Sequence, residues 1–510
     1  MTLAKSYEKS FIVTASKHLQ DQYVNDFDPL IPVKGKVNFP CFKTMEQKKI
    51  DLQEYEVAMN QDLTCEKGDC DGKADGTKQK CKFKPDIQEL EANTFKEIVC
   101  EYYKQKYSAL LSPHSLWNYH SYFQTIKYNQ RQYGKYLKRN ISVFDEAHSI
   151  DELIIKFVMI EIIQKHVNEC GIRIEDYDLS DIDIIIKLLE DIEMSYALQI
   201  RDIKQSRAFQ RNPDYGRIVG LEHSYEKIAG ARIEISSNQE NFVVNDPIFK
   251  NGEFKSIAIK PLDVSGYIKK FFITPFQIFL SATIDRDSFC QNMGFSPDDT
   301  AFVDTPHSPF PVENRKIEFL NTARLGYYVP QVHENRIWIK IDEILSKHKG
   351  QRGLILTSSN SRCKDIINNL SAKNKRRVRI CHAKNPGGMT QNDVIKEHAK
   401  SDDGVLLSSS LWQGVDLKDD LSRFQIVAKV PYPNYTEKWI KAKMEMYPLW
   451  YPSKTIIKLL QGFGRSIRDG QDWAVTYVLD SAAQTLLNNA KNLVPRAYHD
   501  ALGWTELEWN

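Results

Sequence analysis

The stretch Ile141-Ser142-Val143-Phe144-Asp145-Glu146-Ala147-His148 runs from an apolar strand straight into two adjacent acids. In an open parallel sheet, ligands sit beyond the carboxyl ends of the strands. An Asp at such an end can hold Mg²⁺ through water, and a Glu beside it can orient or deprotonate an attacking water. The same letters also suit a strand followed by a solvated acidic turn, so the rest of the chain has to decide.

Upstream, Phe11-Ile12-Val13 reads as a short buried strand, and Leu19-Gln20-Asp21-Gln22 opens a helix. Residues 38–100 are polar, Lys-rich and loop-like, and from Cys100 onward Tyr103, Tyr107, Leu110 and Leu111 recur at helical spacing. Downstream, 150–235 reads as mainly helical, and strand-like segments return in FKSIAIK and FQIFLSATI. After the Pro-rich PHSPFPVENR (306–315), the apolar strands GLILTSS, RVRICHA, GVLLSSS, FQIVAKVPYP and AVTYVLD alternate with helices. Such alternation predicts parallel α/β structure. Two such regions split by a helical block predict two α/β lobes with insertions.

Composition sets the outer limits. At roughly 150 residues per domain, 510 residues suggest three or four units. With 42% apolar and 27% charged residues, a collagen, a mucin-like stalk and a wholly disordered chain are excluded. The formal charge is only +2, so any nucleic-acid site is a local patch or channel. Some of the 24 Tyr, 24 Phe and 8 Trp are available as base-stacking platforms, though most belong to cores. The most apolar run, 153–163, is short and broken by Lys156 and Glu161, and the N-terminus lacks the apolar core of a secretory signal. The expectation is an intracellular protein.

Three further segments carry chemistry. In Gln461-Gly462-Phe463-Gly464-Arg465-Ser466-Ile467-Arg468 the two arginines are three apart and would share one helical face. Paired guanidiniums suit a triphosphate, although a surface helix with two arginines looks the same. Trp412-Gln413-Gly414-Val415-Asp416-Leu417 follows the strand Val405-Leu406-Leu407. Gly414 there permits close backbone approach, and Asp416 can pair with an arginine or a substrate hydroxyl. Ser281-Ala282-Thr283 ends the strand Ile278-Phe279-Leu280, where small hydroxyls can relay movement through hydrogen bonds. Either loop is also an ordinary strand-to-loop turn.

Taken in order, DEAH, SAT, WQGVD and QGFGRSIR resemble the motif series of superfamily-two helicases, and more narrowly the XPD/DinG family. FIVTASKHLQDQ, VKGKVNFPC, CEYYKQKYSALLSPHSLWNYHSYF, IAIKPLDVSGYIKKFF, SPFPVENR and KVPYPN also look like family segments, so the resemblance covers most of the chain. It implies two RecA-like parallel-sheet lobes, the first carrying an iron–sulfur insertion and a helical arch insertion. The first lobe would comprise 1–37, 106–149 and 238–305, the cluster domain 38–105, the arch 150–237 and the second lobe 306–510. The resemblance gives Asp145 the placing of Mg²⁺ and Glu146 the role of catalytic base in ATP hydrolysis. His148, Ser281 and Thr283 would couple hydrolysis to movement, Gly414 and Asp416 would lie at the ATP site, and Arg465 and Arg468 would contact the γ-phosphate with Gln461 nearby. The implied activity is that of a monomeric motor moving 5′-to-3′ on single-stranded DNA and unwinding duplex at single-strand junctions. The rival expectations are a non-catalytic protein that binds single-stranded nucleic acid and an ATPase that acts on RNA.

Nine cysteines are unevenly placed, five of them at 41, 65, 70, 81 and 100. Clustered thiols favour a metal or iron–sulfur site over disulfides in a reducing compartment. Four thiolates suit a 4Fe-4S cluster, and Zn²⁺ also accepts four. Cys41 ends one family-like segment, Cys100 opens another, and Cys65 and Cys70 resemble the family's close middle pair. The expected ligands are therefore Cys41, Cys65, Cys70 and Cys100, with Cys81 as an alternative. Lys67, Lys73, Lys78, Lys80, Lys82 and Lys84 form a rim that either tracks phosphates or keeps a loop-rich unit soluble.

No phosphate-cradling GxxxxGK(S/T) occurs. Met1-Thr2-Leu3-Ala4-Lys5 resembles the end of the helix that follows this loop in the family. The expectation is that the chain begins just after the loop. A truncated start, a loop from a second polypeptide and a non-hydrolysing relative would each explain this; the first is favoured, and the retention of Glu146, Arg465 and Arg468 argues against the last. Losing one preorganised charge donor typically costs ~10²–10³ in rate, and losing a whole cradle costs more.

Overall fold

The computed structural model describes residues 2–27, 29–68, 70, 80–207, 215–326, 328–382, 385, 388–415, 417, 419–467 and 470–504. The chain divides into two compact units, Met1–Ser281 with Glu437–Ala442, and Ala282–Thr436 with Lys443–Asn510.

The first unit holds a parallel sheet of β1 (Ser10–Thr14), β2 (Ile31–Val33), β3 (His114–Asn118), β4 (Ile141–Asp145) and β9 (Phe276–Leu280). Their order is β2-β3-β1-β4-β9. β1 is buried along its whole length because it lies between β3 and β4, with Ile12 opposite both Leu116 and Val143. A strand covered on both sides reads as a continuous apolar run, which is the pattern of FIVT. Phe11 meets Trp117 and Tyr122 edge to face, and Tyr122 meets Phe144 in the same way. Ser16 caps the helix Lys17–Asp26 through Leu19 N–H, and Asn118 caps Tyr119–Tyr133 through Ser121 N–H. In β4 and β9, Asp145 pairs with Leu280, so both strands deliver the residues that follow to one end of the sheet.

A second, antiparallel sheet comprises β5 (Ile160–Ile163), β6 (Phe242–Val244), β7 (Ile248–Lys250) and β8 (Glu253–Pro261). The helices Ile182–Gln205 and Tyr215–Ser237 share its core, where Ile185, Leu188, Ile192, Ile257 and Ile259 are all fully buried. The sequence reads as mainly helical over 150–235, with 153–163 inside a helical run, and β5 departs from that. The apolar run 153–163 breaks at Met159, which ends the helix Ile150–Val158, and Ile160 and Ile162 then pair with Ile259 and Ile257. β-branched residues fit the pleated sheet better than a helix interior.

The second unit is a parallel sheet of β10 (Arg315–Ala323), β11 (Gly353–Leu356), β12 (Val378–Ile380), β13 (Val405–Ser408), β14 (Phe424–Val427) and β15 (Ala474–Asp480), ordered β10-β15-β14-β11-β13-β12. β11, β13 and β14 are buried at every position. Gly353 is required where β11 meets β14, because a Cβ there would sit within 2.7 Å of three Phe424 ring atoms. Both parallel sheets and their covering helices bear out the predicted α/β class. Among the described residues no helix is long and apolar enough to cross a membrane.

Candidate active site

In the first unit the site grows from the carboxyl end of β4. Asp145 is its last residue, and Glu146 follows in the left-handed region at φ 54°. A non-glycine residue held there costs about 1–3 kcal/mol, so its surroundings must hold it in place. They do so through several bonds. Glu146 N–H donates to Asp145 Oδ1 at 3.0 Å, Ser149 Oγ donates to Glu146 O at 2.9 Å, and Tyr119 OH donates to Asp145 O at 2.8 Å. Burial pushes the Asp145 carboxyl above its ordinary range, while the Glu146 N–H and the Tyr23 hydroxyl pull it back towards the ionised form.

Both acids are half-buried, the Glu146 side chain at 36% exposure. Glu146 Oε2 lies 3.3 Å from His148 Nδ1, and the same nitrogen lies 3.0 Å from Ser281 Oγ. The His148 side chain is only 5% exposed. One end of the sheet therefore gathers two half-buried carboxylates, an imidazole and a hydroxyl. That set can position a hydrated divalent ion and a water.

In the second unit, Trp412 is buried and its Nε1–H donates to Thr357 O at 3.1 Å. Gly414 has φ +79°, a conformation that favours glycine. Arg465 is buried; its Nε–H donates to Gln461 O at 3.0 Å and its Nη1–H to Val415 O at 2.8 Å. The guanidinium thus ties the loop after β13 to the end of the helix Trp450–Phe463. Gln461 Nε2 reaches Thr283 Oγ1 at 3.4 Å. The expectation that Arg465 and Arg468 share a helical face is not met at Arg465. The helix stops at Phe463, Gly464 caps it, and Arg465 lies in a 3-10 turn. Arg468 and Asp416 lie outside the described residues.

A third group lies in the first unit. Cys41, Cys65, Cys70, Cys81 and Cys100 line one pocket, walled by Phe42, Phe83 and Tyr103. The Cys65 thiol lies 3.7 Å from Cys100 Sγ and donates to Pro40 O at 3.0 Å. Its hydrogen bonds lower Cys41 to about 5 and Cys100 to about 7, while Cys65 itself is pushed up. Among the described residues no group of three His, Cys, Asp or Glu side chains is arranged to hold one metal ion. A four-iron cluster asks for a different arrangement, because each thiolate binds its own iron rather than a shared point. Five thiols on one pocket fit that donor set in kind.

Sequence reading missed Tyr23 and Tyr119, whose hydroxyls hold Asp145, and nothing in their spacing marked them. It also missed the network beneath Arg465, where Gln425 Nε2 donates to Phe463 O at 2.7 Å and Ser466 Oγ donates to Ser422 Oγ at 2.7 Å. A buried Gln in the middle of the apolar strand β14 was the available signal.

Parallel sheets with motif loops at the carboxyl ends of their strands define a RecA-like α/β protein. The family description "Helicase C-terminal domain" matches residues 341–500, and "DEAD_2" matches residues 33–167. The protein called ATP-dependent DNA helicase YoaA in Haemophilus influenzae is 22% identical over 559 residues, covering 93% of this chain and 84% of that protein. Its Escherichia coli K12 namesake is 20% identical, covering 94% of this chain and 85% of that protein. Of solved structures, an XPD helicase superposes with TM-score 0.53 at 13% identity over 98% of this chain and 91% of the other. Xpd4 of S. tokodaii gives TM-score 0.50 at 13% identity over 99% of this chain and 91% of the other, and at such identities these two show the fold. These matches support an XPD/DinG-like superfamily-two helicase.

Proposed function

We propose that this chain is an ATP-dependent DNA helicase that moves along single-stranded DNA, 5′-to-3′, and unwinds duplex ahead of it. The single observation that carries the reading is the group at the end of β4, where the half-buried Asp145 and Glu146 follow one another and Glu146 adjoins the His148–Ser281 pair. Asp145 would hold Mg²⁺ through water, and the ion would neutralise charge on the phosphoryl oxygens. Glu146 would accept the proton of the attacking water. Arg465 would meet the γ-phosphate after releasing a backbone carbonyl, with Arg468, Gly414 and Asp416 assisting as the family motifs imply. The YoaA relatives support DNA as the strand bound.

The thiol pocket would hold a 4Fe-4S cluster on Cys41, Cys65, Cys100 and a fourth thiolate. When bound, the cluster would cross-link a loop-rich insertion and stiffen it as a wedge for strand separation.

The test is ATP hydrolysis by the anaerobically purified chain, with and without single-stranded DNA, with Glu146→Gln as control. DNA-stimulated turnover abolished in the control is the expected result. Release of a blocked strand from one end only would then fix the polarity. Because the 510 residues contain no GxxxxGK(S/T), a second reading stands beside the first: a protein that binds single-stranded nucleic acid without hydrolysis. Tight DNA binding with no turnover in either protein would select it, and stronger stimulation by RNA would replace DNA as the strand.

A further inference from the structure

A 4Fe-4S cluster takes four thiolates, and this pocket is lined by five. The five are not equivalent. Cys41, Cys65 and Cys100 are buried, at 6%, 1% and 8% exposure, whereas Cys70 and Cys81 are half-buried. The buried three are also held by main-chain bonds, Cys41 and Cys65 across one antiparallel bridge and Cys100 on Phe83. Cys41 N–H donates to Leu63 O at 2.8 Å, Cys65 N–H to Phe39 O at 2.8 Å and Cys100 N–H to Phe83 O at 2.6 Å. Cys70 and Cys81, the two less buried thiols, are joined directly to each other, since Cys81 N–H donates to Cys70 O at 3.0 Å. Their backbones therefore stand side by side. Three buried thiols would supply three corners of a cluster, which leaves the fourth to two thiols joined by one backbone bond.

We propose that Cys70 and Cys81 share one corner of the cluster, either thiol serving as its ligand beside Cys41, Cys65 and Cys100. The inference rests on the reading of the pocket as a cluster site. With a cluster bound, an exchange of ligand would break one iron–thiolate bond as the other formed; the incoming thiol would give its proton to solvent, the outgoing thiolate would take one up, and no iron would change oxidation state. Losing either half-buried thiol would then leave the cluster in place, which a four-cysteine site cannot tolerate.

The experiment compares the full chain with Cys41→Ser, Cys65→Ser, Cys70→Ser, Cys81→Ser, Cys100→Ser and the Cys70→Ser/Cys81→Ser double variant, all purified anaerobically. Iron, acid-labile sulfide and the visible spectrum are read on each, with circular dichroism to confirm folding. The parent should carry about four iron and four sulfide per chain. Cys70→Ser and Cys81→Ser should each keep most of that iron, and the double variant should lose it. Alkylation of the native protein followed by peptide mapping gives a second readout. One thiol of the pair should react in the parent, and the remaining one should be protected in each single variant. Full loss of iron in Cys70→Ser with none in Cys81→Ser, or the reverse, overturns the shared corner, as does loss in both single variants. A folded parent without iron and sulfide, or with zinc instead, overturns the cluster reading itself.

Discussion

His148 Nδ1 and Ser281 Oγ, 133 positions apart in sequence, lie 3.0 Å apart just beyond the carboxyl ends of β4 and β9. Glu146 Oε2 approaches the same nitrogen at 3.3 Å, so the imidazole beside the proposed base also touches the loop after β9. Ser281→Ala removes the hydroxyl and leaves the carboxylate in place. A hydrogen bond of this kind contributes about 1 kcal/mol, or roughly a fivefold effect. The expected outcome is a fall of about that size in DNA-stimulated ATP hydrolysis, with nucleotide affinity unchanged. Steady-state kinetics beside a nucleotide-binding titration check it, and an equal loss in both would assign Ser281 to binding instead.

Asp145 gives a pH prediction. Burial holds its carboxyl above the ordinary range, and the Tyr23 hydroxyl lowers it again. A carboxyl raised in the folded chain keeps a proton that the unfolded chain has already released, so its ionisation costs stability as pH rises through that interval. Tyr23→Phe removes a donor to the ionised form and raises the carboxyl further. Holding Mg²⁺ requires the ionised form, so the acid limb of the hydrolysis profile should move to higher pH, by up to about one unit. The profile of kcat/KM against pH for the two proteins measures this, and a shift to lower pH would contradict it.

Gly68 bears on the thiol pocket. A Cβ built there would lie 2.6 Å from Cys41 Sγ and 3.5 Å from Cys65 O, so any side chain displaces a proposed ligand. Gly68→Ala should lose most of its iron while circular dichroism stays that of the parent, because the residue lies outside the helices and strands. Iron content at the parent's level would show that Cys41 is free to shift.

What the sequence disclosed follows from where its signals are local. The strand-to-acid junction at Phe144–Asp145 and the strands of the second unit are each contained in a few consecutive residues, and the structure holds them as strands. The antiparallel sheet was hidden because β5 continues an apolar helix, and an unbroken apolar run does not separate helix from strand. Its partner, β8, lies about 90 residues on. Tyr23 was hidden for a similar reason, since its hydroxyl meets Asp145 only after β1 and β4 have paired. The end of the helix at Phe463 was written in Gly464, but the three-residue spacing of the arginines drew attention to a helical face instead. The count of cysteines announced a thiol site, whereas the pairing of Cys70 with Cys81 exists only in the backbone.

Gly462 carries the last prediction. It lies inside the helix Trp450–Phe463, where glycine is ordinarily a poor choice by roughly 1 kcal/mol relative to Ala. Propensity alone would make Gly462→Ala stabilising. Packing reverses the sign. A Cβ would lie 2.7 Å and 2.8 Å from two ring carbons of Trp412 and 3.2 Å from Leu356 Cδ1. The Trp412 ring cannot swing aside cheaply, because its Nε1–H is bonded to Thr357 O and the whole side chain is buried. Overpacking of this kind costs about 1–3 kcal/mol, more than the propensity gain. Gly462→Ala should therefore lower the urea midpoint of the second unit. In a double-mutant cycle Trp412→Phe should recover part of the loss, because the smaller ring vacates the space the methyl needs. Strict additivity of the two substitutions would show that they do not meet and that the glycine answers to something else.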